Sequence, residues 1–153
     1  MLNSYFQIVL VFHSWNRWAV LLFLITSLVL AKKRFPNIEG FNQKIKFTSL
    51  LSIILQWILG TYLYFTSPIS NYFMQQTSKA IHVREIRFFG LEHITVMNLA
   101  IGLIIWGYFK SNRQTTKINA DKTIWVYWGI GLILILSSIP WSFSPLISRP
   151  LFR

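Results

Sequence analysis

The stretch "FHSWNRWAVLLFLITSLVLA", residues 12–31, decides the fold of this chain. Most of it is apolar, and a helix of about 20 apolar residues is long enough to cross the hydrocarbon core of a bilayer. Near its start, however, it carries His13, Asn16 and Arg17. Ionisable groups are costly inside a membrane and usually mark function. The stretch therefore predicts a transmembrane helix that carries an imidazole and a guanidinium group near one of its ends.

Further apolar runs extend this pattern over the chain, and we predict spans at about 6–31, 46–66, 88–109 and 123–140. Of the 153 residues, 54% are hydrophobic and 12% are charged, whereas soluble domains carry about 25% charged residues. We therefore predict one all-α domain, a four-helix transmembrane bundle, in contact with the lipid bilayer. The N-terminus lacks a basic start and a small-residue cleavage site, so we expect the first helix to be retained.

The composition also excludes several classes of site. The chain has no cysteine, which rules out disulfides, thiol catalysis, iron–sulfur clusters and zinc–thiolate centres. Its formal net charge is +11, but the lysines and arginines crowd into loops beside the predicted spans. That distribution is typical of a membrane protein, and we expect no nucleic-acid partner.

The distribution of basic residues predicts the orientation. Loops 32–46 and 110–122 hold nine lysines and arginines, whereas loop 67–87 and the C-terminal tail hold five. The positive-inside rule then predicts a multi-pass protein of the bacterial inner membrane with both termini periplasmic. Helices 1 and 3 both begin on the outer side in this arrangement. His13 and His93 then lie at nearly the same depth, roughly 7–11 Å below the start of their spans.

These two histidines suggest a haem site. His13 and Arg17 are four residues apart and share a face of helix 1, while Gly90, His93 and Met97 share a stripe of helix 3. Two imidazoles on parallel helices can ligate one haem iron from both sides. We predict one b-type haem between helices 1 and 3, with His13 and His93 as metal ligands, in electron transfer with a redox partner. Arg17, and also Arg87 or Arg149 from the outer surface, would pair with the haem propionates.

Two alternatives remain open at this point. His13, Glu92 and His93 also suit a quinone site near the membrane surface, where such groups exchange protons with the ring. In the other alternative, Arg17 and Glu92 form an ion pair that fastens helix 1 to helix 3. The protein would then be a non-catalytic small subunit of a larger inner-membrane complex. Residues 72–89 mix apolar and basic side chains and are expected to form an amphipathic segment on the outer surface.

Several motifs resemble a family of small four-span membrane proteins from Bacteroidota-type bacteria, loosely labelled "cytochrome B". The matching pieces extend over nearly the whole chain, and the chain departs from the family at Ile54, where members often carry a histidine. The resemblance implies a four-helix bundle with bound haem, and His13, Arg17, Glu92 and His93 match its motifs. The pieces are "HSWNRW" at 13–18, "LQWILGTYLYFTSP" at 55–68, "RFFGLEH" at 87–93, "SIPW" at 138–141 and "SRPLF" at 148–152.

Overall fold

The computed structural model describes residues 4–33 and 39–141, and the side chains of these except at 33 and 39–42. All regular elements in this part of the chain are helical, which confirms the predicted all-α class. In chain order they are α1 (Ser4–Lys33), α2 (Glu39–Thr66), α3 (Pro68–Gln75), α4 (Thr77–Ala80), α5 (Arg84–Arg87), a π-helical segment (Phe88–Glu92), α6 (His93–Asn112) and α7 (Lys117–Ser138).

Four helical stretches among the described residues are long and apolar enough to cross a membrane, as the sequence predicts. The first two lie within α1 and α2, the third runs from α5 through α6, and the fourth is α7. Their bounds lie close to the predicted spans. They are Ser4–Lys32, Gln43–Thr66, Arg84–Asn112 and Lys117–Ser138.

The four long helices form a square rather than a layer. α1 packs against α2 and α7, and α6 packs against α7 and α2. α1 and α6, which carry His13 and His93, therefore lie diagonally across the bundle. Diagonal helices are farther apart than neighbours, so His13 and His93 are carried by helices that do not pack directly against each other.

One half of the bundle is tightly packed. Trp128 of α7 is fully buried there, and its indole nitrogen donates a hydrogen bond of 3.0 Å to the carbonyl oxygen of Ile104 in α6. Gly131 lets the two helices approach closely, because a Cβ atom at this position would lie 2.6 Å from Ile104. Small residues commonly permit such contacts between membrane helices.

Polar contacts close the same half of the bundle. Ser27 of α1 and Ser49 of α2 are buried and share a hydrogen bond of 2.9 Å. Nearer the end of the bundle, Lys46 of α2 forms a 3.4 Å ion pair with Asp121 of α7, and these side chains are only 12% and 5% exposed. The ion pair links two helices that are diagonal to each other.

The opposite end of the bundle is built differently. Ser67 accepts a hydrogen bond from the backbone N–H of Ile69, and Pro68 begins α3, as is common for helix N-termini. The three short helices α3–α5 occupy the region in which the sequence predicts an amphipathic surface segment. Gly90 in the π-helical segment lies directly against Phe73 of α3, since a Cβ atom there would lie 2.3 Å from that ring.

Candidate cofactor site

A cavity of about 420 Å³ lies in the half of the bundle where α1 and α6 begin. His13, Arg17 and His93 all line it, so the structure brings together the three intramembrane groups that the sequence singles out. Ligand pockets in proteins commonly have volumes of about 300–1,000 Å³. Aliphatic and aromatic side chains from α1, α2, α6 and α7 form most of the remaining wall.

His93 is oriented by the end of α7. Its Nδ1 atom lies 2.8 Å from the carbonyl oxygen of Ser138. A carbonyl can only accept, so Nδ1 carries the proton and donates it. Nε2 then holds a lone pair, and it has no hydrogen-bond partner among the described residues. His93 thus presents a single basic nitrogen in a fixed tautomer.

The sequence explains why this carbonyl is available. Pro140 disfavours a helical conformation of the residue before it, and Ile139 is extended with ψ of 130°. α7 therefore ends at Ser138, and the last carbonyls of a helix have no partner within it. His93 satisfies one of these groups, and the hydroxyl oxygen of Ser138 lies 3.2 Å from the same Nδ1.

His13 has different neighbours. The amide nitrogen of Gln56 in α2 donates to the backbone carbonyl oxygen of His13 at 3.0 Å, and it lies 3.3 Å from Nε2 of the same residue. The amide oxygen of Gln56 accepts from Asn16 at 2.9 Å, and Asn16 also donates to the carbonyl oxygen of Ser52 at 3.0 Å. This network fixes the Gln56 side chain with its N–H groups towards His13.

The other side of the His13 ring lies against the backbone of α2. A Cβ atom at Gly60 would lie 3.1 Å from Cε1 of His13. Nδ1 of His13 is buried there and has no hydrogen-bond partner among the described residues. Because Gln56 donates to Nε2, that nitrogen carries no hydrogen and the ring proton is on Nδ1. No carbonyl oxygen among the described residues accepts a hydrogen bond from this N–H group.

The charge of the cavity is positive. Arg17 lines it one helical turn beyond His13, with its guanidinium carbon 5.3 Å from the centre of the Trp18 ring. No aspartate or glutamate is among the described residues that line the cavity. A wall of this kind favours a ligand that carries negative charge or presents hydrogen-bond acceptors.

Glu92 is not among the residues that line the cavity. Its carboxylate accepts from Nε of Arg87 at 2.6 Å, and its side chain is 44% exposed. The predicted ion pair with Arg17 is therefore replaced by one within the same helical segment. Residues 87 and 92 are five apart, and the π-helical segment between them has i→i+5 hydrogen bonds. Arg149, another predicted propionate partner, lies outside the described residues.

Sequence reasoning overlooked two contributors to the site. The pairing of Asn16 with Gln56 has only a weak signal in the sequence, namely two amide side chains inside predicted spans. Tyr64 of α2 donates from its hydroxyl to the carbonyl oxygen of Gly90 at 3.0 Å, which supports the π-helical segment just before His93. No sequence pattern marks this contact, because it depends on an irregular turn.

No protein-family model, curated protein or solved structure matches this chain. Among the described residues no three histidine, aspartate or glutamate side chains cluster as metal ligands.

Proposed function

We propose that this protein binds b-type haem in the cavity, with His93 as an axial ligand, and takes part in membrane electron transfer. The observation that carries the proposal is the pairing of His93 Nδ1 with the Ser138 carbonyl oxygen at 2.8 Å. Metal-ligating histidines almost always donate their second nitrogen to a carbonyl, a carboxylate or water, which raises the basicity of the ligating nitrogen. The fold of the chain by itself gives His93 this hydrogen bond.

The other residues of the cavity suit the same group. Haem supplies one-electron chemistry and four of its own iron ligands, so a single histidine suffices to attach it. Arg17 provides a cation for a propionate. Ile53, Met97 and Ile101 line the cavity with apolar surface, which excludes water and lowers the local dielectric.

A spectrum tests this proposal directly. Protein expressed with ample haem and purified in mild detergent is measured oxidised and then reduced with dithionite. We expect a b-type reduced-minus-oxidised spectrum that His93→Ala removes. His82→Ala is the matched control, because His82 is an exposed imidazole between α4 and α5 and its removal should leave the spectrum unchanged.

The opposite results are equally clear. A colourless wild-type protein would contradict haem binding and favour a non-catalytic small subunit of a larger membrane complex. A spectrum that survives His93→Ala would contradict the role of His93. Thermal unfolding in detergent shows whether each variant is still folded, so that a lost spectrum is assigned to lost ligation.

A second candidate is a quinol site. Nε2 of His93 can accept a hydrogen bond from a quinol hydroxyl, and Arg17 can stabilise negative charge on the ring oxygen. The observation that favours it is the combination of these two groups with a largely apolar cavity inside the bilayer-spanning part of the fold. Organic extraction of the purified protein, followed by mass spectrometry, should then yield a quinone that His93→Ala loses.

For the cellular setting, we propose an orientation with both termini periplasmic in a bacterial inner membrane. Lys110 and Lys117 mark the bundle end that is opposite to the cavity, and basic loops face the cytoplasm. The cavity then lies near the periplasmic side, accessible to a redox partner there. The resemblance to the small "cytochrome B" proteins agrees with this setting.

A further inference from the structure

We infer that His93 is the only histidine ligand of the haem, and that the His13 side of the cavity is left open for a small gas molecule. This inference rests on the proposed haem site. It differs from the symmetric pair that the sequence predicts, in which His13 and His93 ligate the iron equally. The reason lies in the different hydrogen bonds of the two imidazoles.

His93 has the features of a ligand on both of its nitrogens. Nδ1 is anchored on a backbone carbonyl oxygen at 2.8 Å, and Nε2 has no partner among the described residues. The carbonyl belongs to the end of α7, whose position is set by Pro140 rather than by a movable side chain. The ring is further flanked by Phe88 and Phe89, with centroids 5.7 and 6.2 Å away.

His13 lacks these features. Its Nε2 lies 3.3 Å from the Gln56 amide nitrogen, which has a hydrogen to donate to it. Its Nδ1 is buried without a hydrogen-bond partner, so no carbonyl increases the basicity of the ring. Gly60 lies against Cε1 at the distance of a tight contact. For His13 to ligate iron, it would have to leave the Gln56 amide.

Gln56 holds His13 in place and is itself held. Asn16 fixes the amide oxygen of Gln56 at 2.9 Å, and the backbone carbonyl of His13 receives one amide hydrogen at 3.0 Å. A flipped amide would place its oxygen against that carbonyl oxygen, which cannot donate. Gln56 is therefore a positioning residue that keeps His13 from the iron.

The open side of the cavity has the chemistry of a gas-binding pocket. A haem with one protein ligand has a free sixth position, and the hydrogen-bond donors and steric access around it decide whether small molecules bind. The Arg17 guanidinium lines this cavity and is a donor, whereas both N–H groups of Gln56 are directed at His13. We expect carbon monoxide, which ligates reduced haem only at a free position, to bind.

The experiment uses dithionite-reduced protein with and without carbon monoxide, in the wild type and in the variants His13→Ala and Gln56→Leu. The wild type should give a five-coordinate, high-spin spectrum and a clear shift on adding the gas. His13→Ala should give the same two spectra. Gln56→Leu frees Nε2 of His13 and should shift the haem to a six-coordinate, low-spin form with loss of gas binding.

Two further variants make the result decisive. Asn16→Ala loosens the Gln56 amide without removing it and should shift the spectrum in the same direction by a smaller amount. His13→Ala combined with Gln56→Leu should restore the high-spin spectrum, because the competing ligand is gone. Thr48→Val on the exposed face of α2 is the control for a polar-to-apolar change in the same helix.

The outcomes separate this inference from the proposed function. A low-spin wild type that does not bind carbon monoxide and becomes high-spin in His13→Ala would overturn the inference while leaving haem binding intact. A Gln56→Leu spectrum identical to that of the wild type would overturn the role of Gln56. The absence of haem from every variant, including the wild type, would contradict the proposed function itself.

Discussion

Nδ1 of His93, the first residue of α6, donates a 2.8 Å hydrogen bond to the carbonyl oxygen of Ser138, the last residue of α7. The contact joins the start of one span to the end of the next. It satisfies a terminal helix carbonyl that would otherwise be unpaired in a poorly hydrated region. The same hydrogen bond determines which nitrogen of His93 faces the cavity, so the stability of the α7 end and the chemistry of the cavity depend on one contact.

This contact predicts opposite outcomes for two neighbouring substitutions. Pro140→Ala removes the restriction on Ile139, so α7 can extend and its last carbonyls can turn to intrahelical donors. We expect reduced haem content per protein in this variant, measured by the pyridine haemochrome method. Ser138→Ala keeps the carbonyl and loses only the 3.2 Å contact of the hydroxyl, so its haem content should match the wild type. Equal loss in both variants would argue against the carbonyl as the anchor.

Four glycines of α6 and α7 fall into two groups, for which we predict different effects of alanine on the stability of the protein. At Gly107 and Gly131 an added Cβ would lie 2.5 Å from Tyr127 and 2.6 Å from Ile104. Alanine at either position should lower the free energy of unfolding by about 1–3 kcal/mol, as overpacking does. Gly102 and Gly129 have no atom within 4 Å of such a Cβ, and alanine there should be neutral or stabilise by up to about 1 kcal/mol.

Thermal unfolding in one detergent measures all four glycine variants. Their chemistry is identical, so the two positions with open space serve as controls for the two contact positions. Similar melting temperatures across the set would contradict the close approach of α6 and α7.

The ion pair of Lys46 and Asp121 predicts strong energetic coupling. Both side chains are nearly buried, so removing one partner leaves an uncompensated charge at a cost of about 3–5 kcal/mol. Lys46→Met and Asp121→Asn should each destabilise the protein, and the double variant should recover part of the loss. Additive effects in this cycle would show that the pair contributes no coupling.

The pair of Arg87 and Glu92 provides the contrast. These side chains are 37% and 44% exposed, and exposed pairs typically contribute only about 0–1 kcal/mol. Glu92→Gln should therefore change the melting temperature little and leave any haem spectrum unaltered. A large loss of haem in Glu92→Gln would instead indicate that this carboxylate takes part in the haem site.

The proposed orientation predicts a labelling pattern. The chain has no cysteine, so single cysteines can be introduced without background. Ser78 in α4 and Thr115 between α6 and α7 are both exposed. In intact cells a membrane-impermeant maleimide should label Ser78→Cys and leave Thr115→Cys unlabelled until the membrane is permeabilised. The reverse pattern would place the cavity on the cytoplasmic side.

Much of the fold follows from the sequence, because the spans are long and apolar and their ends are marked by charged residues. The meeting of His13, Arg17 and His93 in one cavity also follows, since parallel helices that start at the same side carry them at similar depth. These predictions need only a regular helix and a count of residues.

The departures arise where the helix is irregular or where partners come from far along the chain. The predicted ion pair of Glu92 with Arg17 assumes regular α-helical spacing. In the structure a π-helical segment follows Arg87, and Glu92 pairs with Arg87 instead. The difference between His13 and His93 depends on Gln56 in one case and on a helix-terminal carbonyl in the other. Neither contact is encoded by the spacing of the histidines themselves.

The π-helical segment makes the number of residues before His93 as important as their identity. A π-helical turn is equivalent to one residue inserted into an α-helix, and each residue of an α-helix turns the chain by about 100°. Deleting Leu91 would allow a continuous α-helix and leave His93 in place, but it would rotate Arg87 and Phe89 around the axis. The short helices α3–α5 would lose their register with the transmembrane bundle, although every remaining side chain would be unchanged. Length at this point is thus a structural requirement that substitution analysis alone would not detect.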